Sequence, residues 1–308
     1  MDEDIRIFVR RLAVERNLSP YTLTAYRSDL QDLARCFPTL SLREVSCDQI
    51  RDYVERLQQK GLKGSTVRRR LATLRVFYGA FEAEGAIRES PVRRLRHRYA
   101  AAKQLPRVMP ISHVETMLKE AHRASVPPGT TKPSRLWQAR ARRDLAILDT
   151  LFATGMRSCE VVKLDLRDID LERRTLLVNG KGRRQREIYV SSDEVLANIQ
   201  AYLESRPLFA PKEDAVFLNP KGRRLHVQSV GLIFRRIQRA VGKAGFSPHC
   251  LRHTMATLLV ENGADLRSTQ EILGHSNIRT TEIYVAVSRT RQQVVMTRFN
   301  ARDRLAIR

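Results

Sequence analysis

Between Ser247 and Tyr284 the chain reads SPHCLRHTMATLLVENGADLRSTQEILGHSNIRTTEIY, and this stretch constrains fold and chemistry together. Ser247-Pro248 is a helix start, with a serine to cap and a proline at the first position, where its missing N–H costs nothing. His249 and Arg252, three apart, then project from neighbouring points of the first turn. That turn also offers free backbone N–H groups and the positive end of the helix dipole, which suits a phosphate. Gly263 ends the helix, Asp265 can cap the next, and Gly274 ends that one with His275 directly behind it. A last helix opened by Thr280 or Thr281 carries Tyr284. An imidazole, a guanidinium, a second imidazole and a phenol thus recur at successive helix ends. Together they ask for an anionic substrate and an acid–base step.

The charge balance points the same way. The chain has 308 residues, with Lys+Arg 56 against Asp+Glu 33, a formal net charge of +23. Residues 1–100 hold 20 basic and 13 acidic residues, and the remainder 36 and 20, so both halves are basic. A polyanion is the expected partner. An anionic membrane competes with nucleic acid for that role, but no run of about 18 apolar residues and no lipidation motif is present. The opening Met1-Asp2-Glu3-Asp4 is acidic, unlike a targeting peptide. Cys36, Cys47, Cys159 and Cys250 form no close pair, which fits a reducing, cytosolic compartment. The length allows two domains.

In the first domain Ser19-Pro20 starts a helix whose Leu23, Tyr26, Leu30 and Leu33 repeat at helical spacing. A second helix spans about 47–60 and is closed by Gly61. Ser65 caps a third, with Val67, Leu71, Leu74 and Tyr78 as its core face. Arg68, Arg69, Arg70 and Arg75 lie outside that stripe, and no acid occurs between Lys60 and Arg75. A basic face of this kind is either a solvated surface or a DNA-facing one. Residues 98–107 are a basic linker that continues Arg93, Arg94 and Arg96 through Arg98 and Lys103.

In the second domain Ser112-x-x-Glu115 and Ser191-x-x-Glu194 read as capping boxes. Residues 123–137 read as a loop. Leu145, Leu148 and Phe152 mark a helix ended by Gly155, after which Arg157 and Glu160 lie three apart. They are a surface salt bridge on one reading. On the other, Arg157 faces a phosphate while Glu160 orients it from behind. Alternation at 162–166, 175–178 and 187–190, with Asn179-Gly180 between the last two, predicts a small antiparallel sheet. Lys181 sits at the hairpin tip, followed by Arg183, Arg184 and Arg186. Leu225, Val230, Ile233 and Ile237 read as core. His249 and His253 are four apart, a zinc-compatible spacing, but no third ligand accompanies them. No metal and no cofactor is therefore expected.

The strings His249-x-x-Arg252-His253, Leu273-Gly274-His275-Ser276 and Thr280-Thr281-x-Ile283-Tyr284 resemble the active-site signature of the tyrosine recombinases, nearest the Xer-type branch. Ala153-Thr154-Gly155-Met156-Arg157-Ser158-Cys159-Glu160 resembles the family's first arginine motif, and Gly180-Lys181-Gly182 its lysine hairpin. The resemblance covers nearly the whole chain. It implies a mainly α protein with a small antiparallel sheet in its C-terminal domain. The expected layout is a two-domain DNA clamp: a helical core-binding domain at 1–97, the linker at 98–107, and a catalytic domain at 108–308. It implies site-specific recombination through a 3′-phosphotyrosyl intermediate. Tyr284 is then the nucleophile, His249 the proton acceptor, Arg157, Arg252 and His275 the phosphate ligands, Lys181 the general acid, and Glu160 the orienting residue. Arg68, Arg69, Arg70, Arg75, Arg96, Arg98, Arg183 and Arg184 become DNA contacts. The implied partners are double-stranded DNA and further protomers, as a tetramer on two sites or paired with a second recombinase. The residues beyond Tyr284 would dock on a neighbouring protomer. The site implied is cytoplasmic, at the nucleoid. The chain opens in the core-binding module, with no room for the arm-site domain of lambda-type integrases. Relatives need a shorter 123–137 segment, which reads as an insertion. Two other readings stay open: type IB topoisomerase-like nicking and resealing, and DNA binding without catalysis.

Overall fold

A computed structural model describes residues 2–15, 18, 20–93, 95, 107–125, 134–180 and 185–274. The chain divides into two compact units, Met1–Gln104 and Leu105–Arg308.

In the first unit the described elements are all helical: α1 (Asp2–Glu15), α2 (Pro20–Cys36), α3 (Cys47–Gln59) and α4 (Gly64–Ala83). The predicted stripes are where the core lies. Leu30, Leu33, Val67, Leu71, Leu74 and Tyr78 are buried, joined by Phe8 and Leu12 of α1. Helix α3 opens on a capping box at Ser46, whose Oγ accepts from the Gln49 N–H. Gly61 takes φ 67° after the helix, a left-handed conformation that glycine enters without strain. Helix α4 departs from the sequence reading at its start. It begins at Gly64 with Lys63 as an uncapped N-cap, so Ser65 already lies inside the first turn.

The arginine face of α4 is not simply solvated. Arg70 is only 17% exposed; its guanidinium pairs with Asp32 and hydrogen-bonds the Tyr53 hydroxyl. Arg69 pairs with Asp29, a carboxylate 2% exposed that also accepts from Thr73 Oγ1 at 2.8 Å. Both acids project from α2, so the border of the core stripe, which a single helix reads as solvated, faces a neighbouring helix. Burial and the Asp32 carboxylate together push the Tyr53 phenol well above its usual range. Arg75 is exposed and pairs with no carboxylate among the described residues.

The second unit holds α5 (Ile111–Ser125), α6 (Arg135–Thr154), α7 (Ser158–Val161), α8 (Asp193–Ser205), α9 (Val227–Ala240), α10 (Pro248–Glu261) and α11 (Leu266–Leu273). It also holds an antiparallel sheet of order β1 (Ile169–Asp170), β2 (Thr175–Asn179) and β3 (Gln185–Tyr189). Helix α6 is the central element, buried along most of its length and packed against α5, α8, α9 and α10. Leu225, Val230, Ile233 and Ile237 are buried with it.

The β2–β3 register runs from Thr175 opposite Tyr189 to Asn179 opposite Gln185. Asn179 is therefore a strand residue, its side chain accepting from Gln185 Nε2 at 2.9 Å, and the connection is the five-residue span 180–184. The alternation at 162–166 does not join the sheet. That segment bridges residues 214–216 instead, through Leu166 N–H to Asp214 O and Val216 N–H to Leu164 O, both 2.9 Å. The 123–137 loop also contracts. Helix α5 runs on through Ser125, and α6 starts at Arg135 behind a Ser134 cap, whose Oγ accepts from the Trp137 N–H. The two expected capping boxes do not form as read. Helix α5 begins at Ile111, ahead of Ser112, and α8 is capped by Ser192 rather than Ser191.

Candidate active site

The site is built where three helix ends meet. Helix α6 stops at Gly155, which adopts φ 62°. A Cβ there would lie 2.9 Å from Leu273 Cδ2 and 3.0 Å from Met255 Sδ, so a side chain would have to displace both and also adopt a φ that strains any other residue. Two residues later Arg157 is the N-cap of the four-residue α7. Glu160, at the third position of that turn, reaches back: Oε2 accepts from the Arg157 N–H at 2.9 Å and Oε1 from Arg157 Nη1 at 2.7 Å. The expected pairing is present, and the carboxylate is buried, so it is not an ordinary surface bridge.

Arg252 comes from the first turn of α10. Proline takes the first helical position as predicted, but Ser247 makes no side-chain cap, its Oγ lying 3.6 Å from Cys250 Sγ. Arg252 turns inward and is 1% exposed, whereas His249 stays exposed. The Arg252 guanidinium donates to Gly155 O at 2.6 Å and to Leu273 O at 2.7 Å, tying the end of α6 to the end of α11. Helix α11 follows the sequence reading closely. Asp265 caps it by accepting from the Arg267 and Ser268 N–H groups, and Gly274 closes it at φ 63°.

Arg186, on β3, is the participant that sequence reasoning passed over. Its Nη2 donates to Glu160 Oε2 at 2.9 Å, its Nη1 to Glu160 Oε1 at 3.3 Å, and its Nε to Ile272 O at 3.0 Å. The glutamate is thus held by two arginines. Burial raises its pKa, but the Arg186 hydrogen bonds, the Arg157 N–H, the Arg186 charge and the Arg157 side-chain bond outweigh that and lower it below the usual carboxylate range. Glu160 is an anion throughout the neutral range.

The histidines are the counterpart. Although the residue as a whole stays exposed, partial desolvation of its ring, then Arg252, then Arg157 hold His249 below its ordinary value. His253 meets it edge to face, with ring centroids 4.4 Å apart. Desolvation first, then His249 and Arg252, push His253 down to about 4. Both rings are neutral at pH 7, so His249 is in the form that can accept a proton. The arrangement can hold an anion against Arg157 and Arg252 and take up a proton beside it.

Of the residues singled out from sequence, Arg157, Glu160, His249 and Arg252 are brought together. Lys181, His275, Tyr284, Arg96, Arg98, Arg183 and Arg184 lie outside the described residues. Arg68, Arg69, Arg70 and Arg75 belong to the first unit. Arg68 is half-buried, and Arg69 and Arg70 are engaged by α2 as above. No described helix is long and apolar enough to cross a membrane.

Two arginines beside a histidine, built on a helical unit with a three-stranded sheet, are an arrangement suited to an anionic group such as a phosphate. The family follows from comparison. Residues 95–291 match the phage integrase family and residues 5–85 match the phage integrase N-terminal SAM-like domain. Tyrosine recombinase XerC of Roseiflexus sp. (strain RS-1) is 34% identical over 295 residues, spanning 94% of this chain and 90% of that protein. Tyrosine recombinase XerC of Alcanivorax borkumensis is 33% identical over 286 residues, spanning 92% and 88%. Among solved structures, XerH site-specific recombinase bound to palindromic difH substrate in a post-cleavage complex aligns with TM-score 0.72 at 22% identity. That alignment covers 92% of this chain and 81% of the other. The chain belongs to the phage integrase family of tyrosine recombinases.

Proposed function

We propose that this chain is a site-specific DNA recombinase that cleaves and rejoins strands through a 3′-phosphotyrosyl intermediate, with Tyr284 as nucleophile. One observation supports the residue assignment: Arg157 and Arg252 both reach the carbonyls at the end of α11, and His249 lies close enough to feel both charges. A phenol with pKa about 10 is ionised to roughly one part in a thousand at pH 7, so attack requires a base. The Tyr284 oxygen forms a bond to the scissile phosphorus while its proton passes to His249. The bond from phosphorus to the 5′-oxygen breaks, and Lys181 supplies the proton that the departing 5′-hydroxyl needs. Arg157 and Arg252, with His275, carry the charge growing on the non-bridging oxygens. Each such donor is typically worth about 2.7–4 kcal/mol in the transition state. A phosphotyrosine is close in energy to the phosphodiester it replaces, so a second 5′-hydroxyl reverses the step without ATP.

In this reading residues 1–97 form the core-binding domain, 98–107 the linker and 108–308 the catalytic domain. The partner is double-stranded DNA, with protomers assembling across two sites as a tetramer or with a second recombinase. The setting is the cytoplasm, at the nucleoid. Support for the partner comes from the net charge of +23 and from the DNA-bound recombinase of like fold.

Tyr284→Phe keeps the ring and removes only the hydroxyl. It should bind DNA like the parent and form no covalent adduct with a nicked suicide duplex on a denaturing gel. Adduct persisting in that variant overturns the nucleophile assignment. Exchange of labelled strands between two duplexes separates a recombinase from an enzyme that only reseals its own nick.

A further inference from the structure

The last three carbonyls around the end of α11 are taken by three arginines from three elements. Ile272 O accepts from Arg186 Nε at 3.0 Å, Leu273 O from Arg252 Nη2 at 2.7 Å, and Gly274 O from Arg157 Nη2 at 3.5 Å. A helix C-terminus leaves its final carbonyls without intrahelical partners and carries the negative end of the dipole. It is therefore a natural hub for guanidiniums. Two of the three arginines are those proposed to hold the scissile phosphate. The third, Arg186, has no such role, and its side chain is only 14% exposed.

We propose that Arg186 is a positioning residue, fixing Arg157 through Glu160 and locking the hub to the sheet. The geometry is specific. Glu160 offers two oxygens, and each takes one bond from Arg157 and one from Arg186, so the carboxylate is clamped from both sides. Arg186 reaches Ile272 O with the same guanidinium, and Gly274 makes room for it. A Cβ on Gly274 would lie 2.8 Å from Arg186 Nη1 and 3.0 Å from its Cζ. With Arg186 gone, Glu160 keeps one arginine instead of two, and the bond from β3 to Ile272 O disappears. Arg157 then has a carboxylate partner held only by its own two bonds, with nothing tying the pair to β3. Lysine does not substitute, because one ammonium cannot reproduce a planar fork bonded to three acceptors. Since β3 leaves the hairpin that carries Lys181, the same side chain ties that hairpin to the α11 end that precedes His275.

The inference rests on the reading in which Arg157 holds the scissile phosphate, and the test separates the two. Full-length Arg186→Gln, Arg186→Lys, Glu160→Gln and the Arg186→Gln/Glu160→Gln double variant are compared with the parent on a nicked duplex carrying the site recovered with the parent protein. Adduct formation should fall about 10- to 100-fold in each single variant, the loss typical of a displaced catalytic group. The double variant should be no worse than the poorer single, because both act through one unit. Replacing the scissile phosphate by a neutral methylphosphonate lessens the demand for Arg157, so the deficit of Arg186→Gln should narrow on that substrate. A merely structural role leaves the deficit unchanged there. Recovery in Arg186→Lys, or additive losses in the double variant, overturns the proposal. A second measurement needs no DNA: in Arg186→Gln, amide exchange at 270–274 should quicken and the Arg157 side-chain N–H resonance should shift. If both stay as in the parent, Arg186 positions nothing. If the parent forms no adduct, the reading of the site fails and these two signals alone judge Arg186.

Discussion

At His249 the charge environment and the chemistry assigned to it are directly linked. Desolvation and the Arg252 and Arg157 charges all oppose the imidazolium, so the folded value lies below the ordinary 6.5. The sign follows: lowering pH protonates the unfolded chain first, so this histidine's contribution to stability is present above about 6.5 and is lost as pH falls through the folded value. The same ordering suits the role proposed for it, since a neutral ring at pH 7 can accept a proton. In a proton NMR titration of the DNA-free protein, His249 should titrate below 6.5. Arg157→Ala should bring it closer to its ordinary value by removing one repelling charge, without abolishing the depression, since desolvation and Arg252 remain. A His249 titrating at its ordinary value or above in the parent would remove the electrostatic case for it as base. The site's local features were legible in the chain: Arg157 with Glu160 three residues on, the caps Asp265 and Gly274, and the glycine after α6. Arg186 was not. In an alternating strand beside other arginines it reads as solvated, and its partners lie 26 and 86 residues away, a pairing that only the packed fold brings about.

Helix α4 shows the same limit at the scale of an element. Its apolar stripe was readable from spacing alone, because period and burial go together. The fate of its arginines depended on α2, which supplies Asp29 and Asp32 opposite. Helix α1 escaped notice although Ile5, Phe8, Val9 and Leu12 are buried, because acids open it and arginines interrupt its stripe. These pairings decide how the basic face should be probed. Removing Arg69 or Arg70 takes away a positive charge and also deprives a carboxylate of its partner, so any change in binding comes with a change in stability. Arg75 is the clean position. Arg75→Ala should leave the denaturant midpoint of the full chain unchanged while reducing the slope of log affinity against log salt by about 0.9, the value for one phosphate that the protein no longer neutralises. An unaltered slope would place Arg75 among merely solvated arginines.

Across the whole chain, both units are basic, and the stretch beyond Tyr284 mixes Val287, Val294, Val295, Met296 and Phe299 with arginines. That stretch lies outside the described residues. Large apolar residues in so short a basic segment are costly to leave in water, at about 1.5–3 kcal/mol for each one fully buried elsewhere. The tyrosine recombinases bury the equivalent segment in a neighbouring protomer, which couples one active site to the next. Deleting residues 291–308 should therefore spare binding of one protomer to a half-site and impair synapsis and strand exchange. The deletion also removes Arg291, Arg298, Arg302, Arg304 and Arg308, so lost charge alone would weaken DNA binding and mimic part of the effect. Met296→Ala with Phe299→Ala keeps every charge and isolates the apolar contribution. This double variant should match the parent in half-site affinity and salt slope, form the Tyr284 adduct on an isolated nicked duplex, and lose cooperative assembly on paired sites in a native gel. Normal exchange by both the deletion and the double variant would mean that the tail does not join protomers. Weakened half-site binding in the double variant would place the apolar residues in the fold of their own chain.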